Sequence, residues 1–362
     1  MPLSIPITLC DLAKKESEGN PVVVAGYGRE STHKGYLHWI LTSYRWPGAI
    51  KAACLLIKHL GHEVDESRIT LSECLWEQRF GNRTIDLILT LYEDNVRVFK
   101  LPIELKADSG ESGEGQLKEF SGYAKGDTSI SACAAFLLGA MSVQNIDLGD
   151  FKPILPNDLL KIWEPLYDDG PSFLKDWLDA VALEESCRNL AHEVYKEWKV
   201  DGAPEPWWKY GYRSSNHLMM YVLDNVRTAL KDKKTADDWA LYLLRYNAVL
   251  NLDSKTENWQ TIQGNEPCQW FFEFNDDYLI LKVWTGKKCT DIDRLKQWVW
   301  DKRDIILKMD IPSCPKPEPP GKTKWGTSSF TVCSWKVDLS EIGKIPGIVQ
   351  TITDQVRQKA LK

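Results

Sequence analysis

From Thr84 to Tyr92 the chain alternates, with Ile85, Leu87, Leu89 and Leu91 on one side and Thr84, Asp86 and Thr90 on the other. A period of two marks a half-buried strand, because successive strand side chains point to opposite faces. Glu93-Asp94-Asn95 reads as a turn, and Val96 to Lys106 returns as the second arm of a hairpin. Upstream, Pro21-Val-Val-Val-Ala25 reads as a strand running into a Gly26-Tyr27-Gly28 turn. A helix follows from about Ser31, with Leu37, Ile40 and Leu41 on one face, and a second spans about Pro47 to Leu60, ended by Gly61. Downstream, Asp108 to Gly115 is a Gly-rich acidic loop and Gln116 to Tyr123 restarts as a helix. Ser129 to Met141 suits helix or strand by composition. It is read as a buried strand because Cys133, Phe136 and Leu137 sit between Gly126 and Gly139.

From about residue 150 the pattern changes. Asn157 and Pro171 signal the starts of two helices, the second running towards Trp198. Arg213 to Lys231 and Ala236 to Leu250 read as amphipathic helices. Trp270 to Phe274 and Tyr278 to Trp284 form a hairpin around Asn275-Asp276-Asp277. A helix over Asp291 to Met309, a strand over Ser329 to Val337 and a helix over Ser340 to Leu361 complete the chain. The expected organisation is a core at 1–150, a helical region at 151–255 and a small α+β module at 256–362.

The 362 residues suffice for about two domains at roughly 150 residues each. Fifty-one acidic residues against 45 basic ones give a net charge of −6. The strongly basic footprint of a constitutive, non-specific nucleic-acid binder is therefore absent, although a local basic channel is compatible with that sum. The nine cysteines are scattered with no two three apart, which excludes a CxxC zinc or redox motif and suits reduced thiols. The start, MPLSIPITLCDLAKK, lacks the pattern of a signal peptide. The stretch from Ala132 to Met141 is shorter than the about 20 residues of a bilayer span. A cytoplasmic protein with no membrane segment is expected.

The chemistry concentrates in Arg83-Thr-Ile-Asp86 and Pro102-Ile-Glu104-Leu-Lys106. Residues two apart in a strand share a face, so Glu104 and Lys106 point the same way. A three-residue turn pairs Tyr92 with Val96, places Asp86 opposite Pro102 and sets it diagonal to Glu104, about 7–8 Å away at Cα. Two carboxylates so placed can converge on Mg²⁺, with Mn²⁺ as a substitute, and Lys106 beside them can hold an attacking water. A two-residue turn shifts the register and separates the carboxylates. On spacing alone the same residues also describe a solvated surface hairpin, its Glu–Lys pair worth less than about 1 kcal/mol.

The series as a whole resembles the PD-(D/E)xK nuclease superfamily, and within it the type 4 family. Glu30-Ser-Thr-His33 with Leu37 and Leu41 is similar to the family's opening E..H helix. Arg83 to Leu87 resembles its R-x-x-D strand, with Thr84-Ile85 where a proline usually precedes Asp. Ile103-Glu104-Leu105-Lys106 resembles the E-x-K strand, and Gln116-Leu117 with Tyr123 the following Q-L-x-x-x-x-x-Y helix. The blocks cover about residues 28 to 125.

The resemblance implies an α/β, restriction-endonuclease-like mixed-sheet core of order α-β-β-β-α-β, followed by the helical region and the α+β module. It implies a metal-dependent endonuclease hydrolysing phosphodiester bonds of DNA. Asp86 and Glu104 would bind the cation, Glu30 would reach its water shell or a second ion, Lys106 would position water, and Gln116 would orient Lys106 or the phosphate. His33 is read as structural. Such proteins often serve in prokaryotic antiphage defence, so gating by a regulatory partner such as an ATPase sensor, or by homo-oligomer assembly, is expected. The alternatives are an RNA nuclease and a catalytically silent scaffold that binds other proteins.

Pro204 to Arg213 (PEPWWKYGYR) interleaves aromatics with cations, a pattern that can stack bases and neutralise phosphates. Trp207, Lys209 and Arg213 are therefore candidate nucleic-acid contacts, as is Tyr123, with core or junction packing as the plainer role for the aromatics. Gly26-Tyr27-Gly28 lacks the third glycine of a dinucleotide loop and reads as a turn that delivers Glu30.

Overall fold

The alternating hairpin sits within a five-stranded mixed sheet of order β1-β2-β3-β4-β5. β1 (Leu71–Phe80), β2 (Arg83–Glu93) and β3 (Val96–Lys106) are antiparallel, while β4 (Ala134–Leu137) and β5 (Lys152–Ile154) continue in parallel. The computed structural model describes residues 19–108, 116–200, 212–231, 239–243, 248–252, 269–284, 292–320 and 329–361. The chain divides into two compact units, Met1–Ser142 with Ile146–Leu190 and Pro204–His217, and Val143–Asn145 with Ala191–Ala203 and Leu218–Lys362.

In the first unit, α1 (Pro21–Gly26), α2 (Glu30–Ile40) and α3 (Ala49–His59) precede the sheet, and α4 (Gln116–Gly126) lies between β3 and β4. α5 (Pro156–Trp163) follows, and α6 (Ser172–Val200) belongs to this unit as far as Leu190. Two apolar clusters account for this arrangement. Leu87, Leu89, Leu101, Ile103, Leu105 and Phe136 pack with Leu37, Ile40, Ala53, Leu56, Trp163 and Trp177 from the helices. Ile85, Ala135 and Leu137 pack with Leu117 and Phe120 of α4. In β4, Ala134 and Phe136 join the first cluster and Ala135 and Leu137 the second, so the sheet buries both faces, while in β2 Ile85 departs from the alternation and packs apart from Leu87 and Leu89.

Three expectations are corrected. Pro21–Gly26 is helical, not a strand, because the Asn20 side chain accepts hydrogen bonds from the Val22 and Val23 amides and Pro21 occupies the first turn. An N-terminal cap with Pro behind it outweighs the strand preference of three valines. The hairpin turn has two residues, Asp94 (φ 45°) and Asn95 (φ 67°), so Glu93 faces Val96. Both φ are positive, as a type I′ turn needs. Finally, the segment expected to be a helix over Ala236 to Leu250 contains two antiparallel strands among its described residues, β6 (Trp239–Leu243) and β7 (Ala248–Leu252). Tertiary pairing overrides a local helical pattern there.

The second unit contains an antiparallel sheet of order β10-β11-β9-β8-β7-β6, with β8 (Gln269–Asn275), β9 (Tyr278–Trp284), β10 (Pro317–Glu318) and β11 (Ser329–Lys336). α7 (Ser215–Lys231) from Leu218 onwards, α8 (Ile292–Leu307) and α9 (Ile345–Val356) are its other principal elements. The register of β11 on β9 shifts between Thr331 and Cys333, and Arg303 of α8 donates to the Thr331 and Val332 carbonyls there (2.9 and 2.8 Å). A buried cation thereby satisfies carbonyls at an irregular step of the ladder. The fold is accordingly α/β, with one mixed and one antiparallel sheet. No described helix is long and apolar enough to cross a membrane.

Buried and exposed positions of β2 predict unequal costs of truncation. Leu89→Ala, at a fully buried position, should destabilise the protein by about 2–5 kcal/mol. Thr84→Ala, at an exposed one, should stay within about 0.5 kcal/mol. Urea unfolding of both variants checks the assignment, and equal losses would contradict it.

Candidate active site

The site is built by a register that two irregularities set together. Tyr92 faces Arg97, but Leu91 faces Phe99, so Val98 is an extra residue in β3. This bulge adds a second one-residue shift to that of the shorter turn, and the ladder then runs regularly to Leu87 facing Ile103. The next step brings Asp86 beside Glu104, instead of opposite Pro102 as the three-residue turn predicts. Residues directly across an antiparallel pair share a face, so the two carboxylates lie closer than the diagonal arrangement allows.

Their hydrogen bonds express this proximity. The Asp86 amide faces Glu104 Oε2 at 3.4 Å, and the Leu105 amide donates to Asp86 Oδ2 at 2.8 Å. Lys106 Nζ lies 2.8 Å from Glu104 Oε1, which also accepts from Gln116 Nε2 at 3.0 Å. Glu104, Lys106 and Gln116 are all buried. Gln116 opens α4, and its reach to Glu104 ties that helix to β3.

Lys34 and Glu77 complete the arrangement. Trp76 faces Leu87 and Gln78 faces Ile85, so Glu77 lies beside Asp86 across the β1–β2 pair, with a left-handed backbone (φ 46°). Lys34 Nζ bridges Glu77 Oε1 (3.2 Å) and Asp86 Oδ1 (3.1 Å). The sequence signal for Lys34 was its position four residues after Glu30, one helical turn along the same face. Arg83 of β2 pairs with Glu119 of α4 at 2.7 Å, further fixing the helix to the hairpin.

Burial pushes Glu104 up to about 7, with the Asp86 charge adding to the rise and Lys106 opposing it. Burial lowers Lys106, but Glu104, Glu30 and Asp86 outweigh it and hold the ammonium above its ordinary range. Glu30, in the first turn of α2, therefore belongs to the same electrostatic field. Lys34 is likewise raised, since Asp86 and Glu77 outweigh its desolvation.

Two adjacent carboxylates suit a hard cation such as Mg²⁺, which commonly takes one or two protein carboxylates. Burial, and after it the Asp86 charge, raises Glu104, and such a cation would favour its ionised form. Asp86 and Glu104 would hold it, in exchange for part of their contact with Lys34 and Lys106. Among the described residues no group of three or more His, Cys, Asp or Glu is placed as a metal cluster.

The other candidates have different surroundings. His33 is buried, with Nδ1 accepting from Trp177 Nε1 at 3.0 Å and Nε2 against the Tyr27 carbonyl. Burial lowers it to about 4, which keeps it neutral and structural. Tyr123 packs edge-on against Phe80, and its hydroxyl faces Glu119 at 3.4 Å. Trp207, Lys209 and the loop from 109 to 115 lie outside the described residues.

Arg213, expected to meet nucleic acid, spends its guanidinium within the protein. It pairs bidentately with Asp108 and again with Glu184 (Nη1 to Oε2 2.7 Å, Nη2 to Oε1 2.9 Å). His217 Nδ1 accepts from the Arg213 amide at 3.1 Å, leaving its Nε2 to donate to Glu184 Oε1 at 2.8 Å. Burial would raise Glu184, but Arg213 and His217 outweigh it and hold the carboxyl well below its ordinary range. Asp108 follows Lys106 by two residues and also accepts from the Ala140 amide at 2.9 Å, so this clamp fixes the chain just beyond the site. A Cβ at Gly28 or Gly139 would collide with the Asp108 carboxylate, so both glycines permit its close approach. The sequence offered no signal for this clamp, because its partners lie far apart along the chain.

No protein-family model, curated protein or solved structure matches the chain.

The closeness of the carboxylates predicts coupled titration in the metal-free protein. Glu104 should titrate near pH 7 in carboxyl ¹³C NMR, and Asp86→Asn should move its midpoint down by removing a neighbouring negative charge. An unchanged or raised midpoint in the variant would contradict the arrangement.

Proposed function

We propose that the chain is a PD-(D/E)xK-type nuclease that hydrolyses phosphodiester bonds of DNA with the help of Mg²⁺ or Mn²⁺. The observation that carries this reading is the meeting of Asp86 and Glu104 on adjacent strands, with Lys106 on Glu104 and Gln116 reaching in from the next helix. The order of helix, three antiparallel strands, helix and parallel strand supports the restriction-endonuclease-like core.

In this reading a bound cation supplies Lewis-acid polarisation of the phosphoryl oxygen and a more acidic water. Asp86 and Glu104 hold the cation, and Glu30 adds negative potential at its edge. Lys106 holds the attacking water through Nζ and offsets negative charge developing at phosphorus. Gln116 keeps the Glu104 carboxylate in orientation, while Lys34 and the Leu105 amide do so for Asp86. One P–O bond forms from water and one bridging P–O bond breaks, with the leaving oxygen taking up a proton. Gating by a partner or by assembly, within a prokaryotic defence system, accords with the resemblance and with the acidic chain.

A second reading is a silent scaffold with the same fold. The observation favouring it is that Lys34 and Lys106 already neutralise both carboxylates.

Incubation of the purified chain with Mg²⁺ or Mn²⁺ and supercoiled plasmid, linear duplex, single-stranded DNA or RNA separates these readings. Metal-dependent cutting of DNA should fall about 100-fold or more in Asp86→Ala and in Lys106→Ala. Cutting retained in both variants contradicts the assigned site, and cutting confined to RNA contradicts the assigned substrate.

A further inference from the structure

One face of α2 meets β1 in a groove of about 770 Å³ lined by Gly35, Tyr36, Trp39, Arg45, Trp76 and Phe173. Trp39 and Trp76 keep 42% and 40% of their surface exposed, and neighbouring Tyr44 keeps 62%. The Arg45 guanidinium lies over both Trp39 (5.5 Å) and Tyr44 (5.2 Å), so its charge meets aromatic faces. Trp39 is braced edge-on by Phe173 (5.4 Å) and Trp76 by His38 (5.4 Å), which fixes the rings at little further entropic cost on binding. The absence of a side chain at Gly35 leaves the space before Trp76 open.

We propose that this groove binds the unpaired bases of a single-stranded nucleic acid. The inference rests on the nuclease reading for the direction of the strand, because the lining of the groove adjoins the candidate site along the chain, with Gly35 directly after Lys34. Trp76 immediately precedes Glu77, whose carboxylate shares Lys34 with Asp86. A strand with a phosphate at Asp86 and Glu104 therefore runs its next nucleotides over Trp76 and Trp39 towards Arg45. Exposed aromatic faces stack on any base, and an arginine beside them takes the phosphate or the π-face. A duplex keeps its base faces stacked inside and offers none to such a groove, which favours the single strand as occupant.

Fluorescence anisotropy with labelled oligo-dT and with a duplex of equal length, both in EDTA, tests the groove without catalysis. The single strand should bind at least about ten-fold more tightly than the duplex. Trp39→Ala and Trp76→Ala should each weaken it about ten-fold, Trp39→Phe should restore most of the loss, and Arg45→Ala should flatten the salt dependence. Equal affinity for the two forms, binding of neither, or full affinity in both alanine variants overturns the proposal. So does self-association through the tryptophans, seen by sedimentation without single-strand binding. The wild-type comparison needs no variant to fold. Tryptophan-dependent binding by a chain whose metal-dependent cutting survives both Asp86→Ala and Lys106→Ala supports the groove and overturns the assigned nuclease site. Cutting of duplex DNA without single-strand binding overturns the groove alone.

Discussion

Two carboxylates held side by side where water is scarce set the terms for the rest of the first unit. Burial makes Glu104 costly to ionise, and the neighbouring Asp86 charge adds to that cost. The fold offsets this with cations and donors drawn from several elements: Lys34 from α2, Lys106 and the Leu105 amide from β3, and the Gln116 amide from α4. Each contact ties one of these elements to the strand pair β2–β3. A protein does not ordinarily keep paired buried acids unless they are compensated, because an unpaired charge in the interior is costly. The compensation here is by lysines, which a divalent cation could replace in part.

The strand pair itself was legible in the sequence, because the alternation of Leu87, Leu89 and Leu91 leaves little freedom in which face meets the larger cluster, although Ile85 departs from it and packs with α4. Its register was not legible. A type I′ turn at Asp94-Asn95 and a bulge at Val98 each shift the pairing, and only their combination brings Asp86 beside Glu104. A bulge leaves no reliable mark in a single sequence, since it depends on how the twisted strands pack. The helix at Pro21–Gly26 had a readable signal in Asn20-Pro21, obscured by three valines. Lys34 stood one turn from Glu30 and was readable in principle, whereas Glu77 depends on a left-handed kink in a strand.

The clamp of Asp108, Glu184, Arg213 and His217 could not be read from spacing, since Asp108 and Arg213 are separated by 105 positions. Its chemistry makes sense only in three dimensions. One guanidinium satisfies two carboxylates, and a histidine donates to the second. Removing one member of such a buried set typically costs about 3–5 kcal/mol, because the remaining charges lose their partner. By anchoring Asp108 to Arg213 and to the Ala140 amide, the clamp sets where β3 ends and hence where Lys106 points. Arg213 thus meets the chain at Asp108, two residues beyond the site's lysine.

The claim that these compensated acids form a cation site can be tested by calorimetric titration of the metal-free protein with Mn²⁺ across pH 6 to 8. Saturable binding should tighten as pH rises through about 7, because the cation competes with the proton on Glu104, and should release protons near neutrality. Asp86→Ala should abolish it. Binding absent from the wild type, or unchanged in the variant, would contradict the account.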